Sequence, residues 1–300
     1  EHWESLGHEV RYEPGASEVL AQWADVYYVE WIDGNLNYLW KLYNGDEGVS
    51  RTPDWDNNKK PKIVCRMIDW DLWCGYIPFY EKEYIDFIDQ AICIAPHMQK
   101  TILDKAPGYK DKLTLIRPGV NLEKFEFRER QENYNIAMVT GDIWQMKNVM
   151  EGLMIFAMLV KKDPNKPWKL NWRGQYADHA NYMKVAVEHF IESRGIKDRV
   201  TLEPPVDSMD EWYNKSSYIL VTSIKEAFSY AAAEAMAKGL KPILNNWFGS
   251  KCIWPEKYIY NTNDEAVEMF DSNINSKEYR SFIEENYSNE SFFKETDKLL

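Results

Sequence analysis

Apolar residues come in short runs separated by amphipathic stretches almost from end to end. In ADVYYVEW (24–31), PKIVCRMID (61–69), QAICIAP (90–96) and KLTLIRPGV (112–120), β-branched and aromatic residues stand together with breakers at their ends. That pattern predicts buried strands. Helical periodicity falls between them, over Ser17–Trp23, Asn35–Tyr43, Phe79–Ile88 and His97–Lys105. A second alternating series begins with YNIAMVTG (134–141) and continues with WKLNWRG (168–174), RVTLEPP (199–205), YILVTS (218–223) and KPILNN (241–246). Its intervening helices are predicted at Asn148–Lys162, Tyr176–Ser193, a short stretch in DSMDEWYNKS capped by Asp207 or Ser208, and Tyr230–Lys238, with polar helices closing the chain. Between the two series lies NLEKFEFRERQEN (121–133), charged and without clear periodicity, a predicted linker. Two βα series joined in this way predict two doubly wound, Rossmann-like α/β domains facing each other across a cleft. Their expected bounds are 1–125 and 134–285, with 286–300 a terminal helix packing back towards the first domain.

Composition narrows the partners. The chain has 300 residues, 45% of them apolar, and a net charge of −12. Three hundred residues suit two domains with real cores. The acidic balance opposes nonspecific binding to nucleic acid or to an anionic membrane, but not a local site for a small anion. No apolar run reaches membrane-spanning length, and no basic amphipathic helix points to a lipid-linked acceptor. Cys65, Cys74, Cys93 and Cys252 lack metal-type spacing, and Cys65 and Cys93 sit in strand-like runs, as reduced core residues of a cytoplasmic protein would. The oligomeric state leaves no signature. The chain opens at Glu1 without a signal-peptide pattern.

The candidate chemistry lies in KEAFSYAAAEAMAKGLKPI (225–243). Ligands in open α/β sheets bind beyond the carboxyl ends of strands, so Glu226, just past YILVTS, stands at such an end. A helix beginning near Ser229 presents unpaired amides and the positive end of its dipole to an anion. Its small residues keep it slim, and Glu234 lies too far inside to be a cap but is suited to accepting hydrogen bonds from a vicinal diol. The plain alternative is a surface helix with two solvated glutamates.

This stretch resembles the E-x7-E signature of the family-four retaining glycosyltransferases, which have the GT-B fold. LIRPGVNLEKF (115–125), VTGDIWQMKN (139–148), RVTLEPPV with WYNKSSYILVTS, and SLGHEV (5–10) resemble other segments of that family in the expected order. The last would be the end of a first helix and a second strand, with the usual first strand preceding Glu1. The resemblance implies a retaining hexosyltransferase acting on a nucleotide-diphosphate sugar and a glycan or small-molecule acceptor. Glu234 would hold the ribose, Glu226 the transferred sugar, amides around Phe228 and Ser229 the diphosphate, and Lys147 a charge on the leaving group. Gly141 opens the loop after the first strand of the second domain. Base contacts would come from backbone near Pro205–Val206. No cofactor and no metal are implied; DWD (69–71) and DWDNN (54–58) are the nearest metal-like runs and neither reads as a site. The leaving phosphate would take the acceptor proton, and domain closure would exclude water.

Three departures stand out. Asp142 occupies the position of a usual arginine, with Arg173, and less so Lys251, as substitute cations. Ile68 or Asp69 stands where a histidine is usual, and Asp69 is a candidate contact for sugar or acceptor, beside Glu30, Arg66 and His97 and the stacking candidates Trp31, Trp70 and Trp73; Arg66 should face the cleft or pair with an acid. Third, if SLGHEV matches as above, the usual first strand would lie before Glu1. Alternative readings are a noncatalytic sugar-nucleotide or glycan-binding module, a sugar-nucleotide epimerase, and a phosphorylase.

Overall fold

The structure, a computed structural model, describes residues 1–30, 34–44, 60–68, 72, 80–176 and 181–300. It divides into two units, one of Glu1–Pro118 with Glu290–Leu300, the other of Gly119–Asn289.

In the first unit the described strands are β1 (Val26–Glu30), β2 (Lys62–Met67), β3 (Gln90–Cys93) and β4 (Leu113–Leu115), all parallel in the order β1-β2-β3-β4. Helices α1 (His2–Ser5), α2 (Glu18–Trp23), α3 (Gly34–Asn44), α4 (Lys82–Phe87) and α5 (Pro96–Lys105) accompany them. Ser17 caps α2 by accepting from the Leu20 amide. The run predicted to be a strand at 112–120 shortens to three residues, because Arg117-Pro118-Gly119 ends the ladder; Pro118 has no amide to donate. No strand forms at 8–10: Leu6 and Val10 are exposed, so nothing there drives pairing. The chain's two ends meet within this unit. Asp297 accepts from Trp3 Nε1 at 3.0 Å and pairs with His2, whose ring stacks on Phe293. Phe292, Leu299 and Leu300 pack on a core of Val64, Ile92 and Ile116. Cys65 and Cys93 are buried and not in disulfides, with burial pushing Cys93 up to about 12; Cys252 is likewise outside any disulfide but exposed, and Cys74 lies outside the described residues.

In the second unit, the described strands are β5 (Asn135–Ile143), β6 (Lys169–Tyr176), β7 (Val200–Glu203), β8 (Tyr218–Val221), β9 (Lys241–Asn245) and β10 (Ile259–Tyr260). They are parallel in the order β10-β9-β8-β5-β6-β7. Helices α6 (Val149–Lys162), α7 (Asn181–Ser193), α8 (Asp210–Tyr213), α9 (Tyr230–Ala237), α10 (Asn263–Met269) and α11 (Ser276–Tyr287) complete it; α12 (Asn289–Thr296) continues into the first unit. The chain winds from β5 outward to β7, then returns to the other side of β5. The order therefore reverses between β5 and β8, and the crevice at their carboxyl ends is the switch point where such sheets bind ligands. β6 runs on to Tyr176, paired with Ile143, so the helix predicted from Tyr176 starts at Asn181. α8 is capped by neither Asp207 nor Ser208: its first residue is Asp210 and Met209 precedes it without a side-chain cap. Aromatic edges pack the core, with Trp168 fully buried against Tyr134, Tyr218 and Phe270.

The charged stretch 121–133 packs on this unit through Arg130. Its guanidinium donates to the carbonyls of Lys238 and Asn214 at 3.0 Å each, and its amide donates to Ser276 Oγ at 2.9 Å. Burial lowers the Arg130 pKa to about 10. Gly239 holds the turn that receives it: its φ is +86°, and a Cβ would sit 2.5 Å from the Arg128 carbonyl. Next to it, the Lys238 ammonium is buried and pairs with Asp210. Asp210→Ala would leave that charge without its acid. It is expected to destabilise the protein by about 3 kcal/mol, read as a lower urea midpoint at unchanged slope.

Candidate functional site

The carboxyl ends of β5, β8 and β9 are tied together. After β5 the chain makes a single turn, Gln145–Lys147, closed by Asn148 in the left-handed region at φ 46°. Asparagine tolerates that conformation. The turn is fastened to the end of β8: Thr222 Oγ1 donates to the Lys147 carbonyl at 2.9 Å, and the Ile224 amide donates to the Met146 carbonyl at 2.9 Å. From β9, Asn245 Nδ2 donates to the Ser223 carbonyl at 3.2 Å. Gly141 lies within β5 rather than opening the loop, since the strand runs on to Ile143; it has φ +59° at a shift in the β5–β6 register. Gly174 lets the strands close there, since a Cβ on it would lie 2.8 Å from the Gly141 carbonyl oxygen.

This scaffold brings Lys147 and Glu226 together. Lys147 Nζ lies 2.6 Å from Glu226 Oε1, and Ser223 Oγ donates to the same oxygen at 2.7 Å. Both charged side chains are mostly covered, at 26% and 15% exposure, so the pair is shielded more than a surface bridge. Beyond Glu226, Phe228 is buried against Trp254, Tyr287 and Tyr230, with ring centroids 5.4, 4.9 and 5.1 Å away. That anchor fixes the backbone leading into α9. Ser229, also buried, caps α9 by accepting from the Ala232 amide at 3.4 Å. The amino end of α9 thus begins four residues past Glu226, and a helix amino end favours an anion.

Glu234 sits on the second turn of α9. Tyr213, fully buried on α8, places its hydroxyl 3.2 Å from Glu234 Oε2 and 3.3 Å from the Ala231 carbonyl. Burial raises the Glu234 carboxyl to about 7; Tyr213 and the more distant charge of Lys124 pull the other way. The spacing of acids along the sequence pointed to Glu234 but not to Tyr213 or Lys124, which reach it from segments 21 and 110 residues away in the chain.

The other residues singled out lie elsewhere. Arg173 is buried on β6, ion-paired with Glu203 Oε2 at 3.3 Å, donating to the Pro204 carbonyl and stacked over Trp212 at 5.1 Å. Lys215 joins the same carboxylate, and together Lys215, the Trp212 indole N–H and Arg173 hold Glu203 below its ordinary pKa against the cost of burial. Arg173 therefore has a structural ion-pair network of its own. Lys251 pairs with Glu256 at the surface. Asp142 is exposed and accepts from Gln175 Nε2 at 2.9 Å. Val206 is exposed in the loop after β7. In the first unit Arg66 pairs with Glu30 at 3.1 Å, as its position in a strand required of it, and lies over Phe292. His97 is in the first turn of α5. Asp69, Trp31, Trp70 and Trp73 lie outside the described residues. Among the described residues, no group of three or more His, Cys, Asp or Glu is placed to hold a metal ion, and no helix is long and apolar enough to cross a membrane.

Residues 134–271 match the model of the family described as glycosyl transferases group 1. That match lies within the second unit. Two curated relatives match a similar stretch. D-inositol 3-phosphate glycosyltransferase of Paenarthrobacter aurescens is 23% identical over 178 residues, 55% of this chain and 43% of that protein. GDP-mannose:cellobiosyl-diphosphopolyprenol alpha-mannosyltransferase of Xanthomonas oryzae pv. oryzae is 26% identical over 137 residues, 45% of this chain and 35% of that one. The chain thus spans less than half the length of these curated relatives. Among solved structures, that of TarM superposes with a TM-score of 0.70 at 18% identity, over 94% of this chain and 56% of that one. A glycosyltransferase from Rickettsia africae gives 0.64 at 14% identity, over 88% and 80%. Anabaena HepE, solved in complex with UDP and glucose, gives 0.65 at 10% identity, over 79% and 71%. Two parallel-sheet α/β units and these superpositions give the chain the GT-B fold, and at these identities the likeness to solved structures is one of fold.

Proposed function

We propose that this chain transfers a hexose-type sugar from a nucleotide-diphosphate sugar to an acceptor hydroxyl, with retention of anomeric configuration and without a metal ion. One observation carries the reading. At the switch point of the second unit, Lys147 and Glu226 meet beside the amino end of α9, while Glu234 stands one turn further along the same helix. That arrangement suits a donor whose diphosphate lies on the α9 amides, with its ribose on Glu234 and its sugar on Glu226. The complex of HepE with UDP and glucose is in keeping with a donor of this class.

The chemistry needs charge stabilisation more than a protein base. The bond between the sugar C1 and the diphosphate oxygen breaks, and a bond from C1 to the acceptor oxygen forms on the same face. The acceptor proton passes to the departing phosphate oxygen. Negative charge grows on that diphosphate, and preorganised donors at such a point are worth several kcal/mol. With Arg173 committed to Glu203 and Asp142 held by Gln175, the proposal assigns this work to Lys147 and the α9 amides.

Lys147 and Glu226 neutralise each other, so a donor must draw them apart. Glu226→Gln weakens that bond and frees the ammonium for phosphate. The variant is expected to bind bare UDP or GDP severalfold more tightly than the natural protein while losing most transfer, measured by calorimetry and by transfer of label from sugar nucleotides. A panel of UDP-, GDP- and ADP-sugars tests the reading as a whole. Nucleotide release coupled to glycoside formation supports it. Binding without turnover identifies a noncatalytic module, and isomerised sugar nucleotide identifies an epimerase.

A further inference from the structure

We infer that Tyr213 is a positioning residue for donor binding, which acts by orienting the Glu234 carboxylate and holding it in its charged form. The inference rests on the proposed placement of the ribose at Glu234.

Tyr213 is placed with unusual constraint for a polar side chain. It is fully buried, on the four-residue helix α8, with its ring edge-on to Phe125 at 6.3 Å and to Trp212 at 5.5 Å. Its hydroxyl is bracketed by two acceptors, the Ala231 carbonyl at 3.3 Å and Glu234 Oε2 at 3.2 Å, both on α9. A phenol has one proton and accepts as well as donates. With Glu234 ionised, that proton goes to the carboxylate in a charge-assisted bond. With Glu234 protonated, the acid donates to the phenol oxygen and the phenol donates to Ala231. The phenol therefore fixes one carboxyl oxygen in either state and leaves the other oxygen to a ligand. The ionised arrangement gains more, because hydrogen bonds to charged groups are the stronger ones.

The adjacent residue on α8 explains why the phenol stays in place. Trp212 is packed under the guanidinium of Arg173 and the ammonium of Lys215, and its indole donates to Glu203. One short turn thus ties the Arg173–Glu203–Lys215 network to the Glu234 site. The titratable and charged groups that act on Glu234 are Tyr213, from α8, and Lys124, from the segment preceding β5. Lys124 acts through space on the same carboxylate and favours its charge, while burial opposes it.

The test compares the natural protein with Tyr213→Phe, Glu234→Gln and the double variant, by titration calorimetry with UDP and with GDP from pH 6 to 9. Phenylalanine keeps the buried ring and removes only the hydroxyl. Tyr213→Phe is expected to weaken binding about fivefold at pH 7, with the gap narrowing towards pH 9 as the carboxyl ionises without help. In the Glu234→Gln background the tyrosine substitution should change binding by less than about twofold. A loss that is the same at every pH, or that persists in full without the Glu234 carboxylate, overturns the inference. A second arm needs no ligand: the Glu234 carboxyl carbon, assigned by its disappearance in Glu234→Gln, is titrated by NMR. Its midpoint should move to higher pH in Tyr213→Phe, and an unmoved midpoint overturns the inference. Failure of the natural protein to bind either nucleotide would count against the proposed function instead, and the NMR arm would still decide the role of Tyr213.

Discussion

Replacing Lys147 with methionine is expected to cut sugar transfer by at least about a hundredfold. The ammonium is held 2.6 Å from Glu226 by a turn that is itself fastened to the end of β8, so its position owes little to chance rotamers. Methionine keeps the length of the stem and removes the charge. Three other cations of this domain are engaged elsewhere: Arg173 with Glu203, Lys215 with the same carboxylate, Lys251 with Glu256. The loss should fall on kcat, since the leaving diphosphate is most in need of a cation when its bond to C1 breaks. A variant with normal kcat and only a raised KM would mean that Lys147 contributes to binding alone. The contrast with Glu226→Gln is diagnostic: one substitution removes the cation, the other releases it, so bare-nucleotide affinity should move in opposite directions.

The second large effect concerns Glu234 and pH. Burial holds this carboxyl at about 7, well above the ordinary glutamate value, so near neutrality it is about half ionised. A ribose diol donates hydrogen bonds and needs the charged form. Nucleotide affinity is therefore expected to rise about tenfold between pH 6 and pH 8, with proton release on binding below pH 7. Glu234→Gln should bind weakly at every pH and show no such rise. The stability consequence has a definite sign. A glutamate whose pKa is raised by folding binds its proton more tightly in the folded chain, so its contribution to stability is fully present below the unfolded value and is lost as pH climbs to about 7. Glu234→Gln escapes that loss. It should be more stable than the natural protein at pH 8, on the order of 2 kcal/mol, while being deficient in binding. Thermal unfolding at pH 5 and pH 8 checks this, and a variant destabilised at both would contradict it.

Much of this was legible in the sequence because the relevant signals are local. The runs that became β5, β8 and β9 are short, apolar and bounded by breakers, and a parallel sheet buried on both faces needs that pattern. The position of Glu226 just past YILVTS, and of Glu234 one turn into a slim helix, followed from the same reading. What the sequence hid depends on contacts between distant segments. Arg173 looked like a substitute for the missing arginine at position 142, but nothing local to NWRGQY reveals that Glu203, one strand away, already holds it. Tyr213 reads as one more core aromatic until α9 is packed beside it. The stretch 121–133 has the composition of a linker, yet Arg130 finds backbone carbonyls of Asn214 and Lys238 that no periodicity announces. The absent strand at 8–10 has another cause: the resemblance of SLGHEV implied it, but Leu6 and Val10 are exposed and have no face to bury.

The central claim is that the donor's diphosphate lies on the amino end of α9, between Lys147 and the first-turn amides, with the ribose on Glu234. A crystal structure of the protein with the nucleotide diphosphate that it releases in the transfer assay tests this most directly. The account predicts phosphate oxygens within hydrogen-bond distance of the backbone amides around Phe228 and Ser229 and of Lys147 Nζ, the Lys147–Glu226 contact opened, and both ribose hydroxyls on Glu234. A nucleotide bound away from the β5–β8 switch point, with the Lys147–Glu226 pair still closed, would contradict it.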